Sequence, residues 1–233
     1  MDRHLIPSDG GPLVFVEDLS APLLAPEDHH HLARVRRTRD GDPMVLGDGA
    51  GSWVRARMRG DTPEVVEEPV VAERSVPAVA VGFGLSKGAK PEWCVQKLTE
   101  LGVDRIVPFA AGRSVVRWDA SRSESATARL AKVAREAAMQ SRSPWVPVVE
   151  AVTDWTDVAG REGACRAERG GAPPSLSHPL VLVGPEGGWT EEESRAPIPE
   201  VSLGQSVLRA ETAAITAGVV LTALRAGLVR PGS

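Results

Sequence analysis

The chain has 233 residues, 42% hydrophobic and 25% charged, with a formal net charge of −4. That composition suits one large or two small globular domains, each able to bury a core. It excludes a protein that coats nucleic acid indiscriminately, yet leaves room for a focused basic patch. No apolar run approaches the ~20 residues that a membrane helix needs. The start, Met1-Asp2-Arg3-His4, does not read as a secretory signal. Cys94 and Cys165 stand far apart without metal-ligand spacing, which predicts buried free thiols in a reducing compartment and no zinc site.

In chain order, the first ~70 residues read as a small β unit. Leu13 to Val16 is a short apolar strand. Pro26 to Arg37 is expected to form a helix, with proline and acids in its first turn and arginines in its last. His29, His30 and His31 are consecutive, so on a helix they point apart and cannot share one metal ion. Met44 to Val54 reads as strand, Asp-Gly turn, strand. Arg55, Arg57 and Arg59 alternate, so they project from one strand face. With Arg34 and Arg37 at the preceding helix end they form either an RNA-backbone surface or a solvated face paired with Asp40, Asp42 and Asp61. Val65 to Ala72 holds a further strand candidate, and residues 74–77 read as a linker between a unit of residues 1–73 and one of 78–233.

From Ala78 strands and helices alternate, which predicts a mainly parallel α/β sheet. Strands are expected at Val79–Leu85, Arg105–Pro108, Val146–Val149, Ala164–Ala167, Leu180–Val183 and Glu200–Leu203. Helices are expected at Pro91–Leu101, Ser123–Ser141, Thr190–Arg195 and Ala210–Ala226, the last apolar enough to be mostly buried. Gly160 to Pro174 carries the weakest signal for order. Lys87 and Lys90 lie in a loop after the first of these strands, where open α/β sheets bind ligands. Arg113 follows the next strand, and Arg142 precedes Ser143-Pro144-Trp145, whose aromatic either stacks on a base or packs.

The most informative stretches are Val183-Gly184-Pro185-Glu186-Gly187-Gly188-Trp189 and Leu203-Gly204-Gln205-Ser206-Val207-Leu208-Arg209-Ala210-Glu211-Thr212-Ala213. Each reads as a strand ending in a glycine-bearing loop that opens a helix, and the two together form one ligand wall. The patterns of serine hydrolases, zincins, P-loop NTPases and Rossmann dehydrogenases are absent.

These two stretches, with Lys87-Gly88-x-Lys90-x-Glu92, Gln96-Lys97, Glu100 to Val103, Arg113-Ser114, Glu136-Ala137 and Gln140-Ser141, resemble the RsmE family of SPOUT RNA methyltransferases. The resemblance implies an N-terminal PUA-like β-barrel for RNA and a C-terminal α/β domain with a deep trefoil knot at about residues 180–220. It implies a cytoplasmic homodimer, with no metal and no membrane. The implied activity is S-adenosylmethionine-dependent methylation of N3 of one uridine in 16S ribosomal RNA of the small subunit. The cofactor would lie against Val183, Gly184, Pro185, Glu186, Gly187, Gly188, Leu203, Gly204, Val207, Leu208, Thr212 and Ala213.

Loss of the N3 proton requires a cation to hold the uridinate or a base to take the proton. Arg209 is the expected electrostatic stabiliser. Glu186 and Glu211 are both candidate bases or orienters, and the sequence does not choose between them. RNA contacts are expected from Arg34, Arg37, Arg55, Arg57, Lys87, Lys90, Arg113 and Arg142. Ser206 and Ser143-Pro144-Trp145 depart from the family pattern, which often carries arginine there. The alternatives are a sibling enzyme acting on ribose 2′-OH or another base, and a ribosome-associated RNA-binding protein without catalysis.

Overall fold

The structure, a computed structural model, describes residues 6–30, 32, 37–88, 90–114 and 120–230, with the side chains of 120–122 excepted. Two compact units emerge: Met1–Arg74 with Arg135–Val146, and Ser75–Ala134 with Pro147–Ser233. The sequence reading ends the first unit at residue 73; a second segment, Arg135–Val146, joins it.

In the first unit, strands β1 (Leu13–Phe15), β2 (Pro43–Gly47), β3 (Ser52–Arg59), β4 (Thr62–Val65) and β5 (Val70–Val71) form a five-stranded sheet. β1 pairs parallel with β2, and the remaining pairs are antiparallel. Alternation on β3 sends Val54, Ala56 and Met58 into a core with Val14, Met44 and Leu46. The opposite face buries Leu13, Phe15, Val45 and Trp53, and Ala138 of the second segment completes that cluster, with Met139 and Val146 packed against it. Arg135 ties this segment in, donating to Asp28 Oδ2 at 2.7 Å and to the Phe15 carbonyl at 2.9 Å.

The helix expected over Pro26–Arg37 is seen as α1 (Pro26–His30). His31, Arg34 and Arg36 lie outside the described residues, and Arg37 has left-handed backbone, φ 55°, so the helix does not include it.

The second unit carries β6 (Ala80–Gly84), α2 (Lys90–Glu100), β7 (Arg105–Ala110), β8 (Val148–Val149), β9 (Thr153–Asp154), α4 (Trp155–Ala159), β10 (Ala164–Ala172), β11 (Leu180–Val183), α5 (Glu191–Ser194), β12 (Glu200–Val201) and α6 (Ala210–Arg225). Helix α3 (Ala120–Ser141) begins in this unit, and its last turns belong to the first. The seven strands are all parallel, in the order β12-β10-β11-β6-β7-β8, with β9 also on β7. Burial on both faces explains why the central strands read as continuous apolar runs. Phe109, Trp155 and Trp189 pack together in the core, the two tryptophan rings tilted with centroids 4.8 Å apart.

Two expectations are corrected here. The weakly ordered stretch contains β10, a nine-residue strand. Gly171 within it allows a close approach: a Cβ would fall 2.7 Å from the backbone of Glu200 and Val201. Helix α6 is buried along one face only, by Glu211, Ala214, Ala217, Gly218 and Leu221, while Thr212 and Val219 are exposed. No helix among the described residues is long and apolar enough to cross a membrane.

Candidate active site

The parallel sheet itself selects the place for a ligand. From β6 the chain runs outward to β7, whereas β11 leads the other way, past β10, to β12. The neighbouring carboxyl ends of β6 and β11 are therefore a topological switch point, where loops diverge and leave a crevice. Three charged side chains meet there. Lys90, at the start of α2 after β6, lies 2.6 Å from Glu186 Oε1 in the loop after β11. It also lies 3.5 Å from Glu211 Oε2 in the first turn of α6.

The loop Gly184–Gly188 is shaped by close contacts. A Cβ on Gly187 would sit 3.0 Å from the Arg113 carbonyl oxygen, and one on Gly184 would press against the Trp189 ring. Gly188 takes φ 70° to close a turn whose amide donates to the Pro185 carbonyl at 2.9 Å. Arg113 Nη1 donates to the Gly187 carbonyl at 3.2 Å, so this predicted RNA contact also braces the loop. Glu193 fixes the other side: it accepts from the Gly112 amide at 2.8 Å and closes a capping box with Thr190. Sequence reasoning missed Glu193, although the Thr190-x-x-Glu193 spacing is the signal that finds it.

Electrostatics separate the two candidate bases. Burial raises the Glu186 carboxyl, but the Lys90 hydrogen bond, its own backbone amide and the Lys90 charge hold it below the ordinary carboxylate range. The hydrogen bond to Glu186 in turn raises the Lys90 ammonium. Glu211 is only 9% exposed, and its Oε2 lacks a hydrogen bond of ordinary geometry; Lys90, 3.5 Å away, acts on it first through charge. Cys94, one turn along α2, is pushed up to about 12 by burial and then by the Glu211 charge.

Of the remaining predicted site residues, Val183 is buried at the end of β11, Leu203 and Leu208 are half-buried, and Gly204 is exposed. Val207 is 82% exposed, an unusual state for valine beside a buried carboxylate. Thr212 is exposed and Ala213 half-buried on α6. Arg209 occupies the N-cap of α6 with an exposed side chain that makes no capping bond, leaving its guanidinium available. Lys87 is exposed.

The predicted RNA residues of the first unit fare differently. Arg55 lies 3.7 Å from both Asp9 and Glu67, and Arg57 donates to the Gly41 carbonyl. The guanidinium of Arg142 is held by the carbonyls of Pro7 and Gly11. Trp145 packs on Gly51 and carries the Arg74 guanidinium 4.8 Å above its ring. Arg34 lies outside the described residues. Cys94 and Cys165 are free and buried, and among the described residues no cluster suited to a metal ion occurs.

Residues 73–222 match the family model for an RNA methyltransferase domain. Ribosomal RNA small subunit methyltransferase E of Bacillus subtilis is 31% identical over 87% of this chain and 90% of its own. The chain belongs to this methyltransferase family. The Mycobacterium bovis member is also 31% identical, over 82% of each chain. The crystal structure of a Neisseria gonorrhoeae member bound to S-adenosyl methionine superposes with a TM-score of 0.80. It is 28% identical over 91% of this chain and 97% of that one. Within the methyltransferase family frame, the loops around Glu186 and Glu211 fall inside the matched region.

Proposed function

We infer that this protein transfers a methyl group from S-adenosylmethionine to N3 of a specific uridine in 16S ribosomal RNA. The carrying observation is the convergence of Lys90, Glu186 and Glu211 at the switch point of a methyltransferase-family sheet, with Arg209 free beside it. The residues present fit the cofactor. The Glu186 carboxylate suits a ligand bearing sulfonium and ammonium cations, and the apolar Leu203, Val207 and Leu208 offer surface to an adenine ring. Val183 to Gly188, Leu203, Gly204, Val207, Leu208, Thr212 and Ala213 would hold it. When bound, it supplies an electrophilic methyl group.

The chain's own part is to position the uracil, expel water and manage the N3 proton. Arg209 presents a permanent cation to the anionic O–C–N edge of a uridinate. Lys87 and Arg113 are the RNA contacts best placed for this unit's site, and Arg37, Arg55 and Arg57 serve the first unit, which we take to be a PUA-like RNA-binding barrel. The segment at about residues 180–220 is taken as a deep trefoil knot. We take the protein to be cytoplasmic and a homodimer; the outer face of α6, where Ile215, Val219 and Val220 are not buried, supports the second of these.

Incubation with S-adenosylmethionine and unmodified small-subunit RNA or subunits, followed by nuclease digestion and mass spectrometry, tests the activity. N3-methyluridine is expected. A 2′-O-methyl product would assign a sibling chemistry, and absence of both transfer and cofactor binding would leave an RNA-binding protein.

A further inference from the structure

A carboxylate oxygen that is buried without a donor costs about 1–3 kcal/mol. A protein keeps such an atom where a ligand supplies the missing hydrogen. Two carboxylate oxygens among the described residues are of this kind: Glu92 Oε2, whose carboxylate is already held by Arg129 at 2.7 Å through Oε1, and Glu211 Oε2, at the carboxyl edge of the sheet on a sixteen-residue helix. Lys90 explains how the latter stays vacant. The ammonium makes its short hydrogen bond to Glu186 at 2.6 Å, while at 3.5 Å it acts on Glu211 first through its charge. The two carboxylates are thereby divided: Glu186, exposed, takes the Lys90 hydrogen bond on Oε1, and the buried Glu211 keeps an open lone pair.

We propose that Glu211 is the proton acceptor for uridine N3 and that Lys90 is a positioning residue that reserves Glu211 for this task by binding Glu186. The proposal rests on the methyl-transfer reading above. In the step, the N3–H bond breaks and its proton passes to Glu211 Oε2. The electron pair left on N3 forms the bond to the methyl carbon, and the pair of the carbon–sulfur bond returns to sulfur, giving a neutral thioether. The groups that interact with Glu211 are Lys90 and Cys94 of α2, and Glu186 of the β11 loop shares Lys90 with it. Cys94, raised to about 12, stays protonated and does not compete as a base.

Glu211→Gln keeps the shape and removes the basicity. It is expected to lower methyl transfer at neutral pH by about 10²–10⁴-fold while calorimetric affinities for S-adenosylmethionine and for RNA stay unchanged. RNA carrying 5-fluorouridine, whose N3–H is more acidic, is expected to restore the rate of the Glu211→Gln variant far more than it speeds the wild type. Lys90→Arg should retain transfer, and Lys90→Met should lower kcat with KM for RNA preserved. Loss of S-adenosylmethionine binding in Glu211→Gln would overturn the proposal by making Glu211 a cofactor ligand. Wild-type rates in Glu211→Gln, or equal 5-fluorouridine effects in both proteins, would overturn it too. Wild-type protein that makes no N3-methyluridine would instead sink the parent reading.

Discussion

Arg225, at the last turn of α6, donates to Asp104 in the turn before β7, and the pair is buried on both sides. Asp104 also accepts from the Val79 amide at 2.8 Å, and Arg225 reaches the Gly102 carbonyl at 2.7 Å. One ion pair thus pins the far end of α6 to the sheet, while its first turn carries Glu211. Removing one partner of a buried pair leaves an uncompensated charge. Arg225→Met is expected to lower unfolding free energy by about 3 kcal/mol in urea titration; a loss below about 0.5 kcal/mol would refute this role.

Arg209→Ala should reduce kcat by about 10²–10³-fold, the range for loss of one group that stabilises developing negative charge. Because the side chain makes no capping bond, stability should change by less than about 0.5 kcal/mol. Thermal unfolding and single-turnover methyl transfer check both halves, and near-normal activity would remove Arg209 from the mechanism.

Lys87 and Arg142 should separate as RNA contact and structural residue. Lys87→Ala is expected to weaken RNA binding and to reduce its salt slope by about 1. Arg142→Ala strips donors from the Pro7 and Gly11 carbonyls. It should cost about 2 kcal/mol of stability and leave the salt slope unchanged.

The Glu186 carboxyl should titrate as Lys90 dictates. Its folded value is depressed, so the stability it contributes is present above its unfolded value and lost as pH falls through the folded one. In Lys90→Met the burial cost remains and the offsetting hydrogen bond and charge vanish. Carbon-13 NMR of the glutamate side chains should then show Glu186 titrating at higher pH than in wild type, and an unmoved titration would contradict the ion pair.

Gly188→Ala should strain the turn that the Pro185 carbonyl closes, because a Cβ at φ 70° is disfavoured even with open space around it. A cost of about 1 kcal/mol in stability is expected, together with weaker S-adenosylmethionine binding measured by calorimetry. Unchanged binding would separate this turn from the cofactor site.

How far the sequence carried depends on range. Leu180–Val183 is legible as a buried strand because four apolar residues are bounded by turn residues, and β11 has those limits. Thr153–Ala159 was not read, since a two-residue strand and a five-residue helix give no periodicity. Glycines at 170 and 171 hid the second half of β10, because tight packing against β12 and flexibility look alike in a sequence. Glu186 and Glu211 were legible from their loops, but Lys90 read as an RNA contact because its partner Glu186 is 96 residues away. A partnership at that distance exists only once the sheet has set β6 beside β11.

The second segment of the first unit sets an order for synthesis. A nascent chain released through Arg74 has all five strands of that sheet, but it lacks Ala138, which completes one buried cluster, and Arg135, which holds Asp28. The N-terminal unit therefore stays unfinished on the ribosome until Val146 has emerged, by which time β6, α2 and β7 of the other unit are already outside. A fragment cut at Arg74 should behave as a partly folded species, and boundaries for expressing this unit alone cannot be drawn by a single cut in the chain.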